Sequence, residues 1–145
     1  MMTQYPVLVY GTLRPTGHNY ENFLGGFTTY EENVTVDGFT MFAGEGYPYL
    51  TLGDRSITAT LCYVDEAAYD FVVKRLDFLE GFRGENVRSN HYDRILHTFT
   101  LRGETVQAWI YVASAGVQAD VERSLFILES GDWIEHVLER DSVRA

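Results

Sequence analysis

Apolar residues open the chain in a compact block. Val7, Leu8, Val9 and Tyr10 form a short run rich in β-branched and aromatic side chains, which predicts a strand. The run stops at Gly11, and Thr12, Leu13, Arg14, Pro15 and Gly17 continue as turn chemistry. Asn19 to Leu24 has room for a short helix before Gly25 and Gly26 break it. Val34 to Phe42 reads as a second extended segment, Gly44 to Pro48 as a glycine-rich turn, and Ile57 to Val64 as a third strand containing Cys62. The clearest helical period covers Asp65 to Glu80. Ala68, Tyr69, Val72, Val73, Leu76 and Leu79 share one stripe at about 100° per residue, with Asp70, Lys74 and Asp77 projected onto the opposite side. Asp65 suits the N-cap, and Gly81 stands where a helix-terminating glycine belongs.

A glycine-containing connection, Gly81 to Asn90, leads into a hairpin. Its strands are Tyr92 to Leu101 and Thr105 to Val112, joined around Arg102, Gly103 and Glu104. Ala119 to Leu128 and Asp132 to Leu138 read as terminal helices, with Ser130, Gly131 and Asp132 as break and cap. Strands outnumber helices and do not alternate with them regularly, so the pattern predicts an α+β fold. The expected architecture is a small closed or half-closed β-barrel with flanking helices, one domain over residues 1–145.

Composition adds three constraints. Aromatic residues make up 14% of the chain and hydrophobic residues 46%, which supports a packed, strand-rich interior over disorder. The net charge of −10 repels phosphate backbones, and no run of Lys or Arg offsets it locally, so nucleic acid is not an expected partner. Cys62 is the sole cysteine, which fits a reducing, cytoplasmic setting, and its expected role is core filling rather than nucleophilic attack. The N-terminal residues lack the basic and apolar regions of a signal peptide, and no apolar stretch is long enough to span a bilayer. Neither composition nor pattern decides the oligomeric state.

Two features carry candidate chemistry. At Gly11 the missing Cβ allows close backbone approach, and outward-facing N–H groups there could form a concave anion site; read from the residues alone, a plain strand end is the favoured explanation. Glu80 is the second. An acid at a helix C-terminus faces the negative end of the dipole, and Glu80 also borders the apolar stripe. Both effects disfavour its charged form and raise its pKa, as a general acid or base requires; an ordinary frayed, solvated end is the alternative. The four histidines, His18, His91, His97 and His136, show no metal-ligand spacing, and His97, alternating with Ile95 and Phe99, reads as a partly buried strand residue. Asp77 and Glu80 stand three apart, but the projection of Asp77 argues against an acid–base pair. Nucleophile-elbow, Walker and dinucleotide-binding glycine motifs are absent from the sequence.

Taken in order, Tyr10 to Arg14, Gly46 to Pro48, Leu76 to Phe82 and Tyr92 to Arg94 resemble the gamma-glutamylcyclotransferase family. The match is nearer to its AIG2-like branch, which includes gamma-glutamylamine cyclotransferase, and Ser130 to Trp133 resembles a stretch near the end of many members. The resemblance implies a small β-barrel with a cavity at one side and an enzyme that needs no metal or organic cofactor. It further implies that the loop Tyr10, Gly11, Thr12 and Leu13 holds the α-carboxylate of a γ-glutamyl substrate, that Glu80 is the acid–base residue, and that Tyr92 and Tyr111 lie near the pocket. Arg14 either pairs with an acid for structure or attracts the carboxylate. The implied reaction is attack of the substrate's α-amine on its own γ-carbonyl, giving 5-oxoproline and a free amine or amino acid; a catalytically silent binding module and a γ-glutamyl amide hydrolase are the competing readings. One departure from the family pattern is the 11-residue separation between Glu80 and Tyr92, which makes the Arg83 to Asn90 loop an added wall or cover for the pocket.

Overall fold

The computed structural model describes residues 3–144, and side chains up to residue 141. One five-stranded sheet organises the chain, with strands β1 (Val7–Val9), β2 (Thr28–Ala43), β3 (Pro48–Val64), β4 (Tyr92–Leu101) and β5 (Glu104–Ala113) in the order β2-β3-β1-β5-β4. β1 is central, antiparallel to β3 and parallel to β5. A strand covered on both faces has no solvent side, which is why Val7, Leu8 and Val9 are all apolar. Leu8 and Tyr10 enter one core with Phe39, Leu50, Ile57 and Ile110. Val7 and Val9 enter another with Val72, Leu76, Tyr92 and Tyr111.

The sheet curls strongly without closing. Phe39 of β2 stacks on Phe99 of β4 with ring centroids 6.0 Å apart, and Arg102 beyond β4 pairs with Glu32 on β2. The two edges therefore meet through side chains, not through a hydrogen-bonded seam, and the fold is a half-closed α+β barrel. His97 is partly buried against Phe39 and Phe99, as its alternation predicts. Cys62 is fully buried, and burial pushes its thiol pKa up to about 12, so it is inert packing.

The helices are α1 (Tyr20–Phe23), α2 (Tyr69–Glu80), α3 (Ala115–Ser124) and α4 (Trp133–Arg144). α2 lays the predicted stripe on the sheet, with Val72 and Leu76 fully buried. Its start differs from expectation. Residues Glu66–Ala68 form a 3₁₀ turn and the side chain of Asp65 makes no capping bond. β2 and β3 run further than their apolar patterns: both continue through polar stretches because each is the other's partner in a long hairpin, bulged near Phe39. The expected helix Ala119 to Leu128 is corrected more substantially. α3 begins and ends earlier, and the segment after it becomes extended against β2, with Ala43 N–H donating to Phe126 O and Leu128 N–H to Met41 O. The predicted break and cap at residues 130–132 do form: Gly131 adopts a φ of 64° and Asp132 accepts the N–H of Glu135 through its side chain.

Candidate active site

A cavity of about 320 Å³ opens between the end of β1, the tip of the β2–β3 hairpin, the C-terminus of α2 and the start of β4. That volume lies at the small end of ligand cavities, roughly 300–1,000 Å³. Tyr10, Gly11, Thr12 and Leu13, Leu79 and Glu80, and Tyr92 and Tyr111 all line it. Four separate elements thus bring all seven sequence-derived candidates to one cavity.

The turn after β1 is held from within. Arg14 N–H donates to Gly11 O, Asn19 N–H to Thr12 O, and Asn19 Nδ2 to Thr12 Oγ1 at 2.9 Å. Among the described residues, the N–H groups of Gly11, Thr12 and Leu13 donate to no protein acceptor. Three successive free amides beside a cavity form the kind of concave donor set that suits an anion. Gly11 serves packing as well: a Cβ there would stand 2.7 Å from Cγ of Pro48, so glycine lets the hairpin tip close against the loop.

Glu80 ends α2, and Gly81 follows in the left-handed conformation at a φ of 70°. Burial raises the Glu80 carboxyl pKa to about 7. The proton therefore exchanges near neutrality, where a general base works best.

The tyrosines are structural pegs by geometry. Tyr10 OH donates to Tyr111 O at 2.6 Å, Tyr92 OH to Pro48 O at 2.7 Å, and Tyr111 OH to Asp77 Oδ1 at 2.7 Å. Burial raises the pKa of all three, and the nearby Glu80 carboxylate adds to the effect. They remain neutral, with their protons directed at protein oxygens.

Asp77 corrects the helical projection. It is half-buried and faces the sheet, accepting bonds from Tyr111 and from Arg94 Nη1 at 3.1 Å. The Arg94 guanidinium lies 4.3 Å from the Trp109 ring centre. This network ties the last turn of α2 to β4 and β5, one turn before Glu80. Arg14 lies outside the cavity and takes the structural role: its Nε donates to Thr60 and its Nη1 pairs with Asp132 at 3.1 Å. Of the other residues lining the cavity, His18, Asn19, Tyr47 and His91 carry polar side-chain groups, and the sequence pattern assigns none of them to the site. For His91 the available signal is its place directly before Tyr92. Among the described residues, no group of three or more His, Cys, Asp or Glu side chains gathers into a metal-holding cluster.

A profile of the family described as gamma-glutamyl cyclotransferase, AIG2-like, matches residues 7–135. The chain belongs to this family. It is accordingly an enzyme of the gamma-glutamyl cyclotransferase type. A relative from Niallia circulans, gamma-L-glutamyl-butirosin B gamma-glutamyl cyclotransferase, is 31% identical over 94% of this chain and 80% of its own length. Among solved structures, the cyclotransferase shares its fold with YkqA of Bacillus subtilis, at a TM-score of 0.65 and 21% identity over 97% of this chain and 43% of that one. The Pyrococcus horikoshii protein PH0828 matches at a TM-score of 0.60 and 18% identity, covering 95% and 97% of the two chains. The described residues include no helix long and apolar enough to cross a membrane.

Proposed function

We propose that the enzyme converts γ-glutamyl amides to 5-oxoproline and the free amine, with Glu80 as the acid–base residue. The observation that carries this reading is one small cavity lined both by three free amides and by a carboxyl group with a pKa near neutrality.

The amides of Gly11, Thr12 and Leu13 hold the α-carboxylate and so fix the glutamyl chain. The α-ammonium must lose a proton before it can attack. Ionised Glu80 accepts that proton, the α-nitrogen bonds to the γ-carbonyl carbon, and the five-membered ring closes. The bond from that carbon to the leaving nitrogen then breaks as Glu80 returns the proton to it, and the ring nitrogen gives up its second proton, again through Glu80, so that the departing amine leaves as an ammonium. Holding the chain folded supplies much of the rate, since well-oriented intramolecular reactions reach effective molarities of ~10⁵ M or more. Tyr92 and Tyr111 shape the wall and keep water out of it. Their committed hydroxyl protons make them positioning residues, not donors to the developing oxyanion. The lone, buried thiol of Cys62 supports a cytoplasmic setting for this chemistry.

The test is product identity with Glu80→Gln as the control. Wild type should release 5-oxoproline, detected by mass spectrometry, from at least one γ-glutamyl amide. Glu80→Gln should lower the rate about 10²–10⁴-fold, the usual worth of a positioned acid–base group. Free glutamate as the product would identify a hydrolase. Saturable binding with no turnover would identify a silent binding module.

A further inference from the structure

His91 has no part in the reaction as described, yet it lines the same cavity as Glu80. Its placement is strongly determined. Its backbone N–H donates to Gly81 O at 3.1 Å, and its carbonyl accepts Ser114 N–H at 3.2 Å, so it is fastened to the residue that follows Glu80. Its ring packs edge-on against Tyr92 and Tyr49, with centroids 4.9 and 5.3 Å apart, and Nε2 bonds the Tyr49 hydroxyl at 2.8 Å. Among the described residues, the other ring nitrogen, Nδ1, has no protein partner.

The loop that separates Glu80 from Tyr92 builds this position. Asn90, 2% exposed, accepts Arg83 N–H through Oδ1 at 2.8 Å and donates from Nδ2 to Gly84 O at 2.8 Å and Asp93 Oδ1 at 3.0 Å. Ser114 Oγ donates to Asn90 O at 2.6 Å. A buried amide with this many partners folds the added residues into a rigid turn. His91 is the next residue out of it.

The glutamyl half of the substrate is accounted for by the amides and Glu80. His91 stands on the side where Tyr47, 42% exposed, marks the mouth. We infer that His91 is a specificity-determining residue, presenting Nδ1 to a hydrogen-bonding group on the departing amine. This rests on the proposed cyclotransfer reaction. Burial lowers the His91 pKa, so near neutrality it offers a neutral imidazole, and among the described residues no Lys or Arg lines the cavity beside it. Such a wall suits a hydroxyl or amino substituent and leaves a second carboxylate without a counter-charge.

The experiment compares three γ-glutamyl amides of similar length, with propylamine, 3-hydroxypropylamine and alanine as the departing amines. Wild type should favour the hydroxypropyl amide over both others. His91→Phe keeps the ring and its packing and removes both nitrogens. It should lower kcat/KM for the hydroxypropyl amide about tenfold, the worth of one lost hydrogen bond to an orphaned partner, while changing the propyl amide less than threefold. Tyr49→Phe releases Nε2 alone and should give a smaller loss in the same direction. Melting curves of the three proteins identify any folding defect, and a variant that fails to fold is replaced by His91→Leu under the same criteria. Equal losses on the propyl and hydroxypropyl amides, or an unchanged preference, would overturn the role of His91. Absence of 5-oxoproline from all three with wild type would instead overturn the proposed reaction.

Discussion

A carboxyl group whose pKa rises from an ordinary 4.5 to about 7 on burial holds its proton more tightly in the folded chain than in the unfolded one. The sign of its effect on stability follows. The protonated carboxyl favours the fold fully below pH 4.5, and that contribution is lost as pH rises through about 7. At pH 8 the ionised Glu80 therefore costs on the order of 2–3 kcal/mol, reduced by whatever water the cavity admits. The same desolvation that brings this carboxyl near neutrality is thus a burden on stability, and removing the charge should relieve it. Glu80→Gln is expected to melt several degrees higher than wild type at pH 8, at about 2–4 °C per kcal/mol for a chain of this size, and at nearly the same temperature at pH 4.5. An equal difference at both pH values would mean that Glu80 is not the titrating group. In activity the order reverses: wild-type kcat/KM should climb with pH through about 7 as Glu80 ionises.

Glu80 is held at its post by the end of α2, and that end depends on Gly81. The left-handed φ of 70° disfavours any Cβ, and one placed there would lie 3.1 Å from Cβ of His91. Gly81→Ala should therefore cost about 1 kcal/mol and disturb both neighbours of the cavity, lowering kcat more than a surface substitution of equal destabilisation. A melting curve and steady-state kinetics on one preparation decide this, and unchanged kcat with a lowered Tm would show that the cap acts on stability alone. The helix stripe and its glycine stop were legible in sequence because both are local: one is a period, the other a backbone preference. Asp77 was not. A helical projection gives angles within one helix, and what draws Asp77 inward is Tyr111 from β5 and Arg94 from β4. The stretch Phe126 to Leu128 failed for a related reason: a short apolar run fits either period, and only the hydrogen-bonding edge of β2 decides it. Asn90 looked like loop composition because its bonds exist only once the loop is closed.

At the scale of the molecule, electrostatics act on the substrate before any contact forms. The net charge is −10, and among the described residues the cavity is lined by Glu80 but by neither Lys nor Arg. The glutamyl head of a substrate carries one ammonium and one carboxylate, so its charge balances and the departing amine decides the net sign. A substrate with a cationic departing amine is drawn toward the protein at low salt. One with a neutral departing amine is not, whatever its fit in the cavity. The screening length shrinks from about 30 Å at 0.01 M to about 8 Å at 0.15 M, so the attraction belongs to dilute salt and fades within the physiological range. Steady-state assays of two γ-glutamyl amides across that range test it, one carrying a diamine and the other an alcohol amine of equal length. KM for the diamine substrate should rise several-fold with salt, while KM for the alcohol amine stays level and kcat changes for neither. A common salt slope for both would show that the acidic surface lies too far from the cavity mouth to steer what enters. Selection of the departing amine would then fall to short-range contacts such as those at His91.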